Sequence, residues 1–262
     1  MATNGRGAMM ATTATQRPPG QTWQTLSRVR QGFMFVAVSL LGVWSEASGL
    51  IDDILTYWED IIYLSQQHLT LTLLSGGLAI LAGVPFGVWM SRPHMRRYAE
   101  TVMQALNSGT TIPTLALLAL SMTLLGIGTV PAVFGLWVAS LLPIVRNTYT
   151  GLLNVPAHLK EVAHGMGMRP VQVLWRVELP NALFVIFAGI RTALAINVGT
   201  VPLAFLIGGG GLGELIFTGI DLNETGMMLA GAIPTALLAV LVDVVMGLTV
   251  YWCIPRGVNP LR

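Results

Sequence analysis

The stretch EVAHGMGMRPVQVLWRVELP, residues 161–180, lies between two long apolar runs and governs how the rest of the 262-residue chain is read. It belongs to the longest polar connection between apolar runs, residues 148–181, which is too polar to cross a membrane. Small residues, a short helical pattern and the closing Pro180 mark the connection as organised. It either folds alone or receives a partner. Gly167 falls in its middle, where a glycine permits a positive φ or a close backbone approach.

Outward from this connection the chain is apolar. Hydrophobic residues make up 53% of it and charged residues only 10%, against roughly 25% charged in an ordinary soluble domain. The apolar residues gather into runs near the length, about 18 or more residues, that crosses a bilayer. Spanning helices are expected over residues 69–90, 108–125, 129–145, 182–207 and 229–252, and a first helix over 31–49, whose apolar run from Phe33 to Trp44 is shorter, brings the count to six. Pro85, Pro113, Pro143, Pro202 and Pro234 lie in or at the ends of these runs, where membrane helices tolerate proline. Over residues 50–67, Ile51, Ile54, Leu55, Trp58, Ile61 and Ile62 recur at helical spacing opposite Asp52, Asp53, Glu59 and Asp60. This pattern predicts an amphipathic helix lying on the membrane surface; a polar loop helix packed on protein is the alternative.

Charge placement sets the orientation, because Lys and Arg accumulate in short cytoplasmic loops. One side receives Arg6, Arg17, Arg28, Arg30, Arg92, Arg96, Arg97, Arg146, Lys160, Arg169, Arg176, Arg256 and Arg262. The opposite loops hold Glu46, Asp52, Asp53, Glu59, Asp60, Glu214, Asp221 and Glu224, with no Lys or Arg. Both termini are therefore expected in the cytoplasm, as a disordered tail over residues 1–30 and a short tail over 256–262. A cleaved secretory signal, with Ser45 and Ala47 near the cleavage point, is the alternative for the first apolar run. A retained helix makes the number of spans even, as the charges require. The net charge of +2 is spread singly between apolar runs, which does not suit a nucleic-acid partner. Cys253 is the only cysteine, and the four histidines, read as surface or boundary residues, lack a metal-type spacing.

Residues 161–180 resemble the coupling loop of the membrane subunits of ATP-binding-cassette importers, whose pattern is EAA, three residues, G, nine residues, I, one residue, LP. The chain supplies Glu161, Val162, Ala163, Gly167, Val177, Leu179 and Pro180 at that spacing, with valine at the second and fifth of these positions. The resemblance covers about residues 66–252 and is closest to permeases for glycine betaine, choline or carnitine. TIPTLALLAL from Thr111, GIGTVPAV from Gly126, LLPIVRNTYTGL from Leu141, AGIRTALAINVGT from Ala188 and LIGGGGLGELIFTGI to Ile220 carry it. It implies an all-α integral membrane protein with the type I importer permease fold, a cytoplasmic coupling helix bearing Glu161 and Ala163, and a turn at Gly167. The implied partners are a cytoplasmic ATPase dimer, a second permease copy or sister permease, an extracytoplasmic binding protein and membrane lipid. The implied location is the bacterial inner membrane. Methionine importers share the loop and are the nearest alternative. The chain lacks a lysine-bearing phosphate loop, so ATP and Mg belong on the partner ATPase and no catalytic residue or bound cofactor is expected here.

Other constellations carry further expectations. Gly208, Gly210 and Gly213 satisfy the dinucleotide spacing, but they follow a membrane helix on the outer side. That segment is read as a binding-protein contact through Gly210, Gly211, Glu214 and Asp221, with plain loop flexibility as the alternative. Arg191 and Asp243 each lie about ten residues, roughly 15 Å, from the inner end of an apolar run. Charges at such depth require a partner or a cavity, so the two are expected to pair, with separate pairing or snorkelling as the alternative. Asn107, Thr110, Thr111 and Asn197 are candidates for the translocation path, or for helix-to-helix hydrogen bonds. A stand-alone ion-coupled transporter using Arg191 and Asp243, or a passive channel, remains the alternative from another class.

Overall fold

A computed structural model describes residues 49–109 and 111–254, and its described residues carry helices and no strand. The architecture is that of the unit beginning at Asp52. Helix α1 spans Leu50–Thr56 and α2 spans Trp58–Met90; α3 covers Arg96–Gly109, α4 Thr114–Leu125 and α5 Thr129–Leu153. The connection after α5 holds α6 (Ala157–Gly165) and α7 (Pro170–Val173). A π-helical turn, Leu174–Glu178, leads into α8 (Leu179–Thr200), followed by a 3-10 segment Val201–Ile207, α9 (Gly213–Asp221) and α10 (Thr225–Cys253).

Helices α2, α5 and α8 form the centre, packing through Ala79, Ile144, Ala182, Ile186, Ile190 and Ala193. Lipid tails are as apolar as these side chains, so close backbone approach and interhelical hydrogen bonds hold such bundles rather than water exclusion. Gly87 of α2 shows this approach: a Cβ there would lie 2.6 Å from Thr148 Cβ on α5. Toward the other end of the helices, Leu71, Leu118, Leu136, Val201, Ala204 and Ile207 form a second cluster. A third, around Ile61, Leu64, Leu212, Leu215 and Ala230, packs α9 and α10 against α2.

Several sequence boundaries are corrected. The amphipathic stretch 50–67 is not one surface helix, because the chain turns at Tyr57 and residues 58–67 open the long helix α2. At 33 residues α2 is roughly 50 Å long, more than the roughly 30 Å hydrocarbon core. Its first turns carry Glu59, Asp60 and the exposed rings of Trp58 and Tyr63, groups suited to the headgroup level and not to hydrocarbon. The run 108–125 is not a straight span: α3 and α4 are bent by 96°. Pro113, which has no N–H to donate, precedes α4. The span read as 129–145 extends to Leu153, so the connection 148–181 is shorter than its polarity suggests and is largely helical.

Among the described residues four helices are long and apolar enough to cross a membrane, and the bent pair α3 and α4 would make five. The expected first helix, residues 31–49, and both tails lie outside the described residues but for Gly49.

Candidate functional site

Helix α6 presents the signature residues on two faces. Ala163 is 1% exposed and seats the helix, whereas Glu161 is exposed, Val162 is 58% exposed and Met166 65% exposed. Gly167 ends the helix at φ +78, with its N–H donating to His164 O at 2.9 Å and Met168 N–H reaching Ala163 O at 3.1 Å. A Cβ at Gly167 would meet nothing within 4 Å, so the left-handed conformation, and not space, is what requires glycine there. The second half of the signature runs without a break into α8. Pro180 cannot donate to the carbonyl four residues back, and the turn before it widens to the π form, with Leu179 N–H bonded to Leu174 O. The Asn181 side chain donates to Val177 O at 2.7 Å, supporting the widened turn.

Between Val177 and Leu179 lies a residue that the sequence reading passed over. Glu178 is buried, with its carboxylate 2.7 Å from an Arg92 guanidinium nitrogen and 3.7 Å from Lys160 Nζ. The Arg92 contact is that of an ion pair and not an aligned hydrogen bond, since Oε2 has no partner of hydrogen-bond geometry. Lys160 also donates to Leu152 O, in the last turn of α5, at 3.3 Å. The signal in the sequence was an acid placed among the basic residues of one side.

Arg191 and Asp243 meet in a bidentate pair, Nε to Oδ1 and Nη2 to Oδ2 both at 2.6 Å, joining α8 to α10. Their side chains are 45% and 42% exposed on the isolated subunit. Asn197 lies on the same helix in a different setting. It is buried and donates to Ser75 Oγ at 2.9 Å and Ser140 Oγ at 2.6 Å, tying α2, α5 and α8. These are the helix-to-helix hydrogen bonds that were the alternative to its reading as a path residue. Asn107 lines a groove of about 470 Å³, with Arg146, Asn147, Thr150 and Thr192 among the other walls. Thr111 is exposed, its hydroxyl donating to Ser108 O at 2.7 Å, and Thr110 lies outside the described residues.

The glycine-rich segment makes a turn packed on α2. Gly208, Gly210 and Gly211 have φ of 79, 78 and 87, and Gly211 N–H donates to Gln67 Oε1 at 3.1 Å. No strand precedes it among the described residues, so the dinucleotide spacing has no matching context. Of the residues read as a binding-protein contact, Gly211 is buried against His68, Gly210 is half-buried, and Glu214 and Asp221 are exposed. His68 is itself no surface histidine: it is buried, its Nε2 3.0 Å from Val198 O. Nearby, the Tyr57 hydroxyl donates to a Glu224 carboxylate oxygen at 2.7 Å. That hydrogen bond, with burial and the neighbouring acids adding less, raises the phenol pKa above its ordinary value.

A bundle of long apolar helices, broken by a polar helical connection with one seated and one free face, defines a polytopic membrane protein. The chain belongs to the family of binding-protein-dependent transport system inner membrane components, whose model matches residues 83–251. It is 50% identical to the osmoprotectant import permease protein OsmY of Salmonella typhimurium over 85% of this chain and 93% of that protein. It is 40% identical to the choline transport system permease protein OpuBB of Bacillus subtilis, over 78% and 93%. Its fold matches a chain of the MetNI methionine ABC transporter in an inward-facing conformation, with a TM-score of 0.66 at 24% identity over 75% of this chain and 96% of that one. The chain therefore has the type I ABC importer permease fold and is a multi-pass inner-membrane protein.

Proposed function

We propose that this chain is the permease subunit of an ATP-driven importer of quaternary ammonium osmoprotectants such as glycine betaine, choline or carnitine. It acts as two copies or beside a sister permease, with an ATPase dimer at α6 and a binding protein near Glu214 and Asp221. Both termini face the cytoplasm. The observation that carries the mechanism is the two-faced α6: Ala163 anchors it, while Val162 and Met166 stand out as apolar side chains available to a soluble partner. ATP and Mg bind on that partner, and closure of the ATPases moves α6 and, through α8, alternates access to the path. Asn107 and the other polar residues of its groove are the candidate path lining, with Thr110 and Thr111 beside them in the sequence. Cargo rests on the named relatives, and the methionine alternative has likeness of fold alone.

Reconstitution tests both parts. Uptake should require the ATPase, ATP and the binding protein together. Titrating the cognate binding protein with glycine betaine, choline, carnitine and methionine should give saturable binding of a quaternary ammonium compound. Uptake by this subunit alone, without ATP, would favour an ion-coupled carrier using Arg191 and Asp243.

A further inference from the structure

Helix α6 has little apolar purchase on the bundle. Ala163 is its one buried residue. A cavity of about 450 Å³ opens beside it, walled by Arg92, His94, Lys160, His164, Val173 and Glu178, among others. A helix packed so sparsely would shift under load before moving the spans. Its polar side-chain contacts run through Lys160, which stands 3.7 Å from Glu178 and donates to Leu152 O. The Glu178 carboxylate ends the π turn leading into α8, holds Arg92 just beyond the end of α2, and faces Lys160 of α6. Lys160 in turn caps the last turn of α5 through Leu152 O, the end of a helix at which a cation is favourable.

We propose that Glu178 is a positioning residue of the transport cycle, locking α6 to the loop-side ends of α2, α5 and α8 so that displacement of α6 moves the three spans together. This rests on the importer reading above. An ion cluster suits the role because it is directional. Apolar residues of similar volume could hold the fold as well, but would not fix the relative positions of four elements. Removing the charge of Glu178 leaves Arg92 and Lys160 facing each other across the cavity, and α6 then moves without carrying the bundle.

The test is the ATP consumed per solute imported, measured in proteoliposomes holding the complete permease and ATPase complex, with its binding protein and radiolabelled glycine betaine. Wild-type uptake that does not depend on ATP would refute the importer reading itself, whatever the variants do. With ATP-dependent wild-type uptake in hand, Glu178→Gln should still hydrolyse ATP but use on the order of tenfold more of it per solute, within the usual range of coupling between sites. Lys160→Met, which keeps the contact between Arg92 and Glu178, should raise the ratio less. A purely structural role would lower hydrolysis and uptake in proportion, so an unchanged ratio in assembled Glu178→Gln overturns the proposal. If Glu178→Gln does not assemble, Lys160→Met decides: a raised ratio supports the lock and a wild-type ratio overturns it.

Discussion

Arg191 and Asn197 lie on the same helix, α8, and polarity alone does not separate their roles. Arg191 reaches across to Asp243 in two hydrogen bonds and remains half exposed. Charged groups at that depth are tolerated where protein or water meets them, so this face is expected against another subunit or the path, not lipid. Because the two charges form one unit, Arg191→Ala and Asp243→Ala should be non-additive: the double variant should assemble about as well as either single variant, as read by recovery of the complex. Additive losses would show that the pair does not act together. Asn197 instead satisfies two buried serines. Asn197→Ala should lower the stability of the detergent-solubilised subunit by about 1 kcal/mol, the scale of interhelical hydrogen bonds in membranes, and leave solute preference unchanged. Thermal unfolding and competition uptake measure the two effects.

At the scale of elements, the α2 to α5 contact and the end of α6 depend on glycine for different reasons. Gly87 is a matter of space, since a Cβ would meet Thr148 and the Val145 carbonyl. Gly87→Ala should therefore cost about 1–3 kcal/mol through overpacking, visible as a lowered unfolding midpoint. Gly167 is a matter of conformation. Gly167→Ala places a Cβ at φ +78 in open space, so its cost of about 1–2 kcal/mol falls on the turn after α6. Its effect should appear as weaker association with the ATPase, and an unchanged co-purification yield would contradict the role given to that turn. The long helix α2 shows why its start was misplaced in the sequence. An amphipathic pattern over residues 50–67 cannot distinguish a helix lying on the membrane from the protruding end of one that crosses it, because both bury one face and wet the other.

For the whole molecule, orientation can be tested without engineering a label, because Cys253 is the only cysteine and is exposed at the end of α10. A membrane-impermeant maleimide should modify it in inside-out vesicles and not in right-side-out ones. Labelling from the outer side would reverse the assignment of every loop. Much of the architecture was legible beforehand for a simple reason. A bilayer demands apolar runs of a set length, so span cores follow from composition along the chain, and its sorting of basic residues to one side is what carries the expected cytoplasmic placement of the coupling loop. The signature at Glu161, Ala163, Gly167, Leu179 and Pro180 is likewise local, being set by one helix, one turn and one proline. What only the tertiary structure decided is which polar residues meet. Depth along separate runs suggested the pairing of Arg191 with Asp243 but could not give its geometry. Burial of Asn197 and His68, the bend between α3 and α4, and the gathering of Arg92, Lys160 and Glu178 depend on how helices distant in sequence rotate against one another, and no local spacing records that rotation.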